Sequence, residues 1–117
     1  MFTVEYYELP SGRKPALDFI ESLDPKMKAK VQEGLVRLEQ YGNALREPYS
    51  SPMGSGLFEL RIKQSRRLAR VFYFFVVGNK VILTNGFQKK TQKTPQAEIK
   101  LARKYKADYE RRNPNDF

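Results

Sequence analysis

The chain has 117 residues, which suits one domain built on a single core. It carries 22 Lys plus Arg against 13 Asp plus Glu, a formal net charge of +9, with 15 Phe and Tyr, so it is too apolar to be disordered. Cysteine and histidine are both absent, which excludes a disulfide scaffold, a thiolate zinc site, a thiol nucleophile, a Ser-His-Asp triad and a histidine-based metal centre.

Phe2 to Leu9 alternates, with Phe2, Val4 and Tyr6 on one face and Thr3, Glu5 and Tyr7 on the other. This predicts a half-buried strand. Pro10 to Pro15 reads as a turn, with Pro15 placed for the first turn of a helix. Ala16, Leu17, Phe19, Ile20 and Leu23 follow at helical spacing. Asp24 then predicts an N-cap and Pro25 the first position of a second helix. Its apolar stripe is Met27, Val31, Leu35 and Leu38, with Gly42 as its C-terminal stop. The two helices form a hairpin that covers a sheet.

Asn43 to Gly56 holds Pro48, Pro52, Gly54 and Gly56 and reads as a long loop. Strands are expected at Leu57 to Lys63, Leu68 to Val77 and Lys80 to Phe87, separated by turns at Gln64 to Arg67 and Gly78-Asn79. Short turns imply an antiparallel meander, and the most apolar strand, Leu68 to Val77, belongs at its centre. Gln88 to Thr94 is a basic loop. Thr94 is placed to cap a helix from Pro95 to about Arg111, whose buried side takes in Ala97, Leu101, Ala102, Tyr105 and Tyr109. Residues 112–117 read as a frayed tail. The order is β-α-α-β-β-β-α, an α+β domain over residues 1–117 with a small antiparallel twisted sheet.

The charge is unevenly spread. Residues 1–54 are net −1, whereas residues 55–117 are net +10. Arg61 to Lys93 contains 9 basic residues and no acid. Cations interleaved with Tyr and Phe suit a polyanion whose phosphates pair and whose bases stack, although a solvated basic face has the same composition. Strand alternation puts Glu59 and Arg61 opposite Phe58, Leu60 and Ile62, and puts Arg70, Phe72 and Phe74 opposite Val71, Tyr73 and Phe75. If the strands pair as a meander, a helix-free face gathers Arg61, Arg70 and Lys89. Lys63, Arg66, Arg67, Lys90 and Lys93 extend the positive surface as candidate RNA-binding residues.

Metal-independent cleavage of RNA requires an aligned 2′-hydroxyl, neutralised charge on the phosphorane-like transition state and a protonated leaving oxygen. Without histidine, Glu59 is a candidate base and Lys89 or Tyr73 a candidate acid. Each has a plain alternative. Glu59 equally suits an ion pair with Arg61 or Arg70, and Tyr73 suits the core. No Gly-rich phosphate loop, paired CxxC or acidic metal cluster is present.

The segments LFELR (Leu57 to Arg61), RVFYFF (Arg70 to Phe75) and NGFQKKTQKTPQAEIKLA (Asn85 to Ala102) resemble the RelE/ParE toxin superfamily, most closely its phage-derived, HigB-like branch. The resemblance implies the toxin of a type II toxin–antitoxin pair, a cytoplasmic mRNA interferase acting on the 70S ribosome with no metal or other cofactor. It implies that Arg61 and Arg70 hold phosphate and stabilise the transition state, and that Lys89 and Lys90 are the basic residues after the last strand. Glu59 falls at an acidic position of the LFELR segment. Members of this branch often carry His where Asn85 stands, and an amide exchanges no proton at neutral pH. RelE uses a tyrosine near its C-terminus; neither Tyr105 nor Tyr109 is matched to it. The implied partners are mRNA, the ribosome and a small helix-turn-helix antitoxin.

Two other functions fit parts of this pattern: a gyrase poison of the ParE type and a non-catalytic basic nucleic-acid-binding module. No membrane association is expected. The N-terminal segment MFTVEYYELP has no basic stretch leading into an apolar run, and Val71 to Val77 is far short of the roughly 20 residues needed to span a bilayer.

Overall fold

A computed structural model describes residues 1–89 and 93–117. Strand β1 (Thr3–Tyr6) leads into helices α1 (Pro15–Glu21) and α2 (Pro25–Tyr41). Four strands follow: β2 (Ser50–Gly54), β3 (Leu57–Gln64), β4 (Arg67–Val76) and β5 (Lys80–Lys89). Helix α3 (Gln96–Arg112) and a short 3-10 turn at Pro114–Asp116 close the chain. The sheet order is β1-β5-β4-β3-β2, which places β4 at the centre as its apolar sequence predicts.

The fold is α+β, with two differences from the expected sheet. The meander β3-β4-β5 is antiparallel, but β1 lies parallel to β5, pairing Val4 with Val81 and Tyr6 with Leu83. A parallel neighbour requires a crossover connection, and the α1–α2 hairpin lies within the segment that links β1 to the meander. The second difference is β2, an edge strand inside the segment expected as loop. It pairs antiparallel with β3 through Ser50 and Leu60. Pro52 is tolerated there because an edge strand can leave one side without donors. Ser55 and Gly56 take φ of 53° and 80°, the left-handed geometry of a tight hairpin turn.

The two faces of the sheet carry different cores. Helices α1 and α2 seal one, where Ile20, Met27, Val31 and Leu38 pack with Leu60, Ile62, Val71 and Leu83. Gly86 on β5 admits the Phe19 ring, since a Cβ there would stand 2.4 Å from Phe19 Cδ2. Helix α3 covers part of the other face, where Tyr105 packs with Phe74 and Ile82, and Ala102 with Leu57, Phe72 and Phe87. Within α3, Ile99 joins that packing, while Ala97, expected on the buried side, is exposed.

The C-terminal residues are not a frayed tail. Tyr109 donates to Asp116 Oδ2 at 2.6 Å, the Val77 N–H donates to the Asp116 carbonyl at 2.9 Å, and Phe117 stacks on Phe74 with centroids 6.0 Å apart. The tail returns to the end of β4 and extends the α3-side core.

Candidate functional site

The face that gathers Arg61 and Arg70 is not helix-free, because α3 lies across part of it. The cations collect beyond the start of that helix. The register sets Arg61 directly opposite Arg70 and Glu59 opposite Phe72. Two arginines facing each other on neighbouring strands repel, and Glu59 offsets this. Its Oε1 accepts from Arg70 Nε at 2.9 Å and lies 3.7 Å from Arg61 Nε.

Glu59 Oε2 accepts a hydrogen bond from Thr94 Oγ1. Lys89 Nζ donates to the same Thr94 oxygen at 3.4 Å. Thr94 was expected to cap α3, but Pro95 holds the N-cap position and the threonine hydroxyl turns to the carboxylate. Lys89 lies at the end of β5, within the strand and not in the following loop. Glu59 and Arg70 are each 3% exposed. An ion pair buried to this degree holds its geometry because neither partner can exchange the other for water.

Electrostatics follow from this packing. Burial pushes the Arg70 guanidinium below its ordinary pKa, with Arg61 adding to the effect and Glu59 opposing it. Burial also lowers the Lys89 ammonium, reinforced by Arg70 and Arg61 and opposed by Glu59. Arg61 is more open, and its Nη1 reaches the exposed Glu47 carboxylate at 3.4 Å. An incoming anion therefore competes with a solvated acid for Arg61, whereas Arg70 stays tied to a buried one.

The other sequence-predicted residues divide clearly. Lys63 lines a groove of about 430 Å³ together with Arg61 and Arg70. Tyr73 does not face this site. It lies in the α1–α2 core, 1% exposed, with its hydroxyl bonded to Ser50, and burial pushes its pKa up. Both its place and its pKa oppose a role as proton donor to RNA. Arg66 and Lys93 are exposed. Arg67 is held by Asp24 through bonds of 2.6 and 3.0 Å, at a corner outside the groove lining. Lys90 lies outside the described residues.

The groove also takes residues that the sequence reading passed over. Lys30, Glu33 and Arg37 enter from α2, and Pro48 and Tyr49 from the segment before β2. The net −1 charge of residues 1–54 concealed the α2 cations, because the acids that balance them lie mostly elsewhere. Their helical spacing from Lys30 to Arg37, two turns on one face, was the available signal.

Two strand arginines, a buried carboxylate and a lysine form a cationic cluster at one end of the sheet of an α+β scaffold. The chain matches the phage-derived Gp49-like protein family over residues 18–107, and it belongs to that family. The family falls within the RelE/HigB-like group of toxin–antitoxin toxins. No curated protein matches the chain. Among the described residues, no helix is long and apolar enough to cross a membrane, and no three acidic side chains gather to hold a metal ion.

Proposed function

We propose that this chain is the toxin of a type II toxin–antitoxin pair and that it cuts mRNA on the ribosome. The observation that carries the reading is the Glu59-centred cluster, in which Arg61, Arg70 and Lys89 converge from three adjacent strands. Its chemistry suits cleavage by the RNA's own 2′-hydroxyl. That oxygen attacks phosphorus, its proton passes to solvent, and the bond to the 5′-oxygen breaks. Arg61 and Arg70 neutralise the charge that builds on the phosphorane. Lys89, its pKa lowered by burial, gives a proton to the departing 5′-oxygen.

Glu59 acts here as a positioning residue. Both its oxygens already accept hydrogen bonds, from Arg70 and Thr94. It aims the guanidinium groups, and the antitoxin supplies the control that such an activity requires. Inducing the chain without its antitoxin should arrest translation and leave new 5′ ends within translated mRNA, mapped by primer extension. Arrested growth with intact mRNA and trapped gyrase–DNA complexes would favour the ParE-type activity instead.

A further inference from the structure

The groove beside the Arg61–Arg70 pair has the features of a nucleotide subsite. Its lining brings together five cations, Lys30, Arg37, Arg61, Lys63 and Arg70, with a single acid, Glu33. It also brings an aromatic ring. Tyr49 is 43% exposed, and the Arg37 guanidinium lies 4.0 Å from its centroid. The fold uses Tyr49 through its backbone, whose carbonyl accepts from the Arg61 N–H at 2.8 Å. The ring is thus free of a core role, and the guanidinium above it forms a flat, cationic stacking surface.

The groove volume of about 430 Å³ lies within the range of small-ligand sites. It is continuous with the cationic cluster, because Arg61 and Arg70 line both. Lys63 supplies a compact charge for phosphate oxygens, and Lys30 a second, its exposed pair with Glu33 at 3.3 Å being one that an anion can displace, while the ring and guanidinium supply a plane for a base. Stacking of this kind needs an unpaired base, which single-stranded RNA offers and a duplex does not.

We infer that the α2–β3 groove seats the nucleotide next to the scissile phosphate, with its base stacked on the Arg37–Tyr49 pair and its phosphate held by Lys30 and Lys63. The inference rests on the RNA-cleaving reading of the adjacent cluster, and it adds where the flanking base goes and what recognises it.

Fluorescence anisotropy of a 2′-O-methyl RNA oligonucleotide, which binds but cannot be cut, tests it on the full chain. Tyr49→Ala should weaken binding by about tenfold, and Tyr49→Phe should bind like wild type, because stacking needs only the ring. An oligonucleotide made abasic beside the scissile position should lose affinity for wild type and show no further loss with Tyr49→Ala. Circular dichroism of Tyr49→Phe and Tyr49→Ala checks that both remain folded; should Tyr49→Ala unfold, the abasic oligonucleotide on wild type alone decides. Equal affinity of wild type and Tyr49→Ala, or of the intact and abasic oligonucleotides, overturns the inference while leaving the cleavage reading in place. A wild-type protein that binds no RNA overturns the inference too, and the cleavage reading then stands or falls on the primer-extension map.

Discussion

Arg70 donates from Nε to Glu59 Oε1 at 2.9 Å, and each of the two side chains is 3% exposed. The pair is diagonal across β3 and β4, since the register sets Glu59 against Phe72 and Arg61 against Arg70. One carboxylate therefore orients two guanidinium groups from two strands. A site built on strands is held more firmly than one built on loops, and the cluster uses the central strand of the sheet.

Burial makes Arg70 a structural residue as well as a site residue. Arg70→Ala leaves Glu59 without its buried cation, and breaking a buried pair from one side costs about 3–5 kcal/mol. Arg61→Ala removes a partly exposed side chain whose pairs lie at 3.4 and 3.7 Å, so its cost should stay below about 1 kcal/mol. Both should lower cleavage by about 10²–10³. Urea denaturation beside a cleavage assay separates the two effects. Equal stability of the two variants would show that the Glu59–Arg70 pair adds nothing to the fold.

Lys89 gives a pH signature in which activity and stability move in opposite directions. Burial, then Arg70 and Arg61, hold its ammonium below the ordinary value of 10.5. Between the lowered value and 10.5 the unfolded chain binds the proton and the folded chain does not. This group therefore adds stability as pH rises through that window. Proton donation needs the ammonium form, so cleavage should fall as pH rises through the lowered value. Lys89→Met should remove both trends. RNA carrying a 5′-thio leaving group needs no proton donor, and Lys89→Met should cut it nearly as fast as wild type does. A variant equally slow on both substrates would take Lys89 out of the proton-donor role.

The sequence carried the helices, the central strand and the parity of the site. Alternation alone set Arg70 and Tyr73 on opposite faces, and that separation is what buries Tyr73 away from the cations. The β2 strand was hidden because Pro52, Gly54 and Gly56 are turn residues, and only pairing with β3 makes the segment a strand. The groove was hidden for another reason. Lys30, Arg37 and Tyr49 are distant in sequence from Arg61, and their meeting depends on how α2 lies along β3. Thr94 illustrates the same limit. A threonine before a proline and a helix reads as a cap, yet the buried carboxylate of Glu59 is the stronger acceptor.

The C-terminal turn should be needed for stability and not for cleavage. Asp116 accepts from the Tyr109 hydroxyl and the Val77 N–H, and Phe117 stacks on Phe74. Deleting residues 114–117 removes these together and should cost about 1–3 kcal/mol. Burial and then Asp116 raise the Tyr109 pKa, so its share of the stability is present below the ordinary tyrosine value and is lost as pH rises through the raised one. Thermal unfolding of the deletion variant checks the first statement. An unchanged melting temperature would show that the tail rests on the surface without supporting it.

Charge on the surface is not the same as charge available to phosphate, and salt dependence tells them apart. Each phosphate neutralised on single-stranded RNA contributes about −0.7 to the slope of log affinity against log salt. Lys63 lines the groove and is exposed, so Lys63→Ala should flatten the slope by about 0.7. Arg67 lies four residues further along the same hairpin and reads identically in sequence. Its guanidinium is gripped by both Asp24 oxygens, at 2.6 and 3.0 Å, and also donates to Gln64 Oε1. Asp24 responds in kind, its carboxyl held below the usual range by the Arg67 hydrogen bonds. Removing Arg67 alone leaves a stray acid, so the cleaner variant is Asp24→Asn with Arg67→Ala, which deletes the pair at no change in net charge. Its slope should match wild type. A flattening equal to that of Lys63→Ala would mean that Arg67 leaves Asp24 for the RNA, and the positive surface would then extend around the β3–β4 turn.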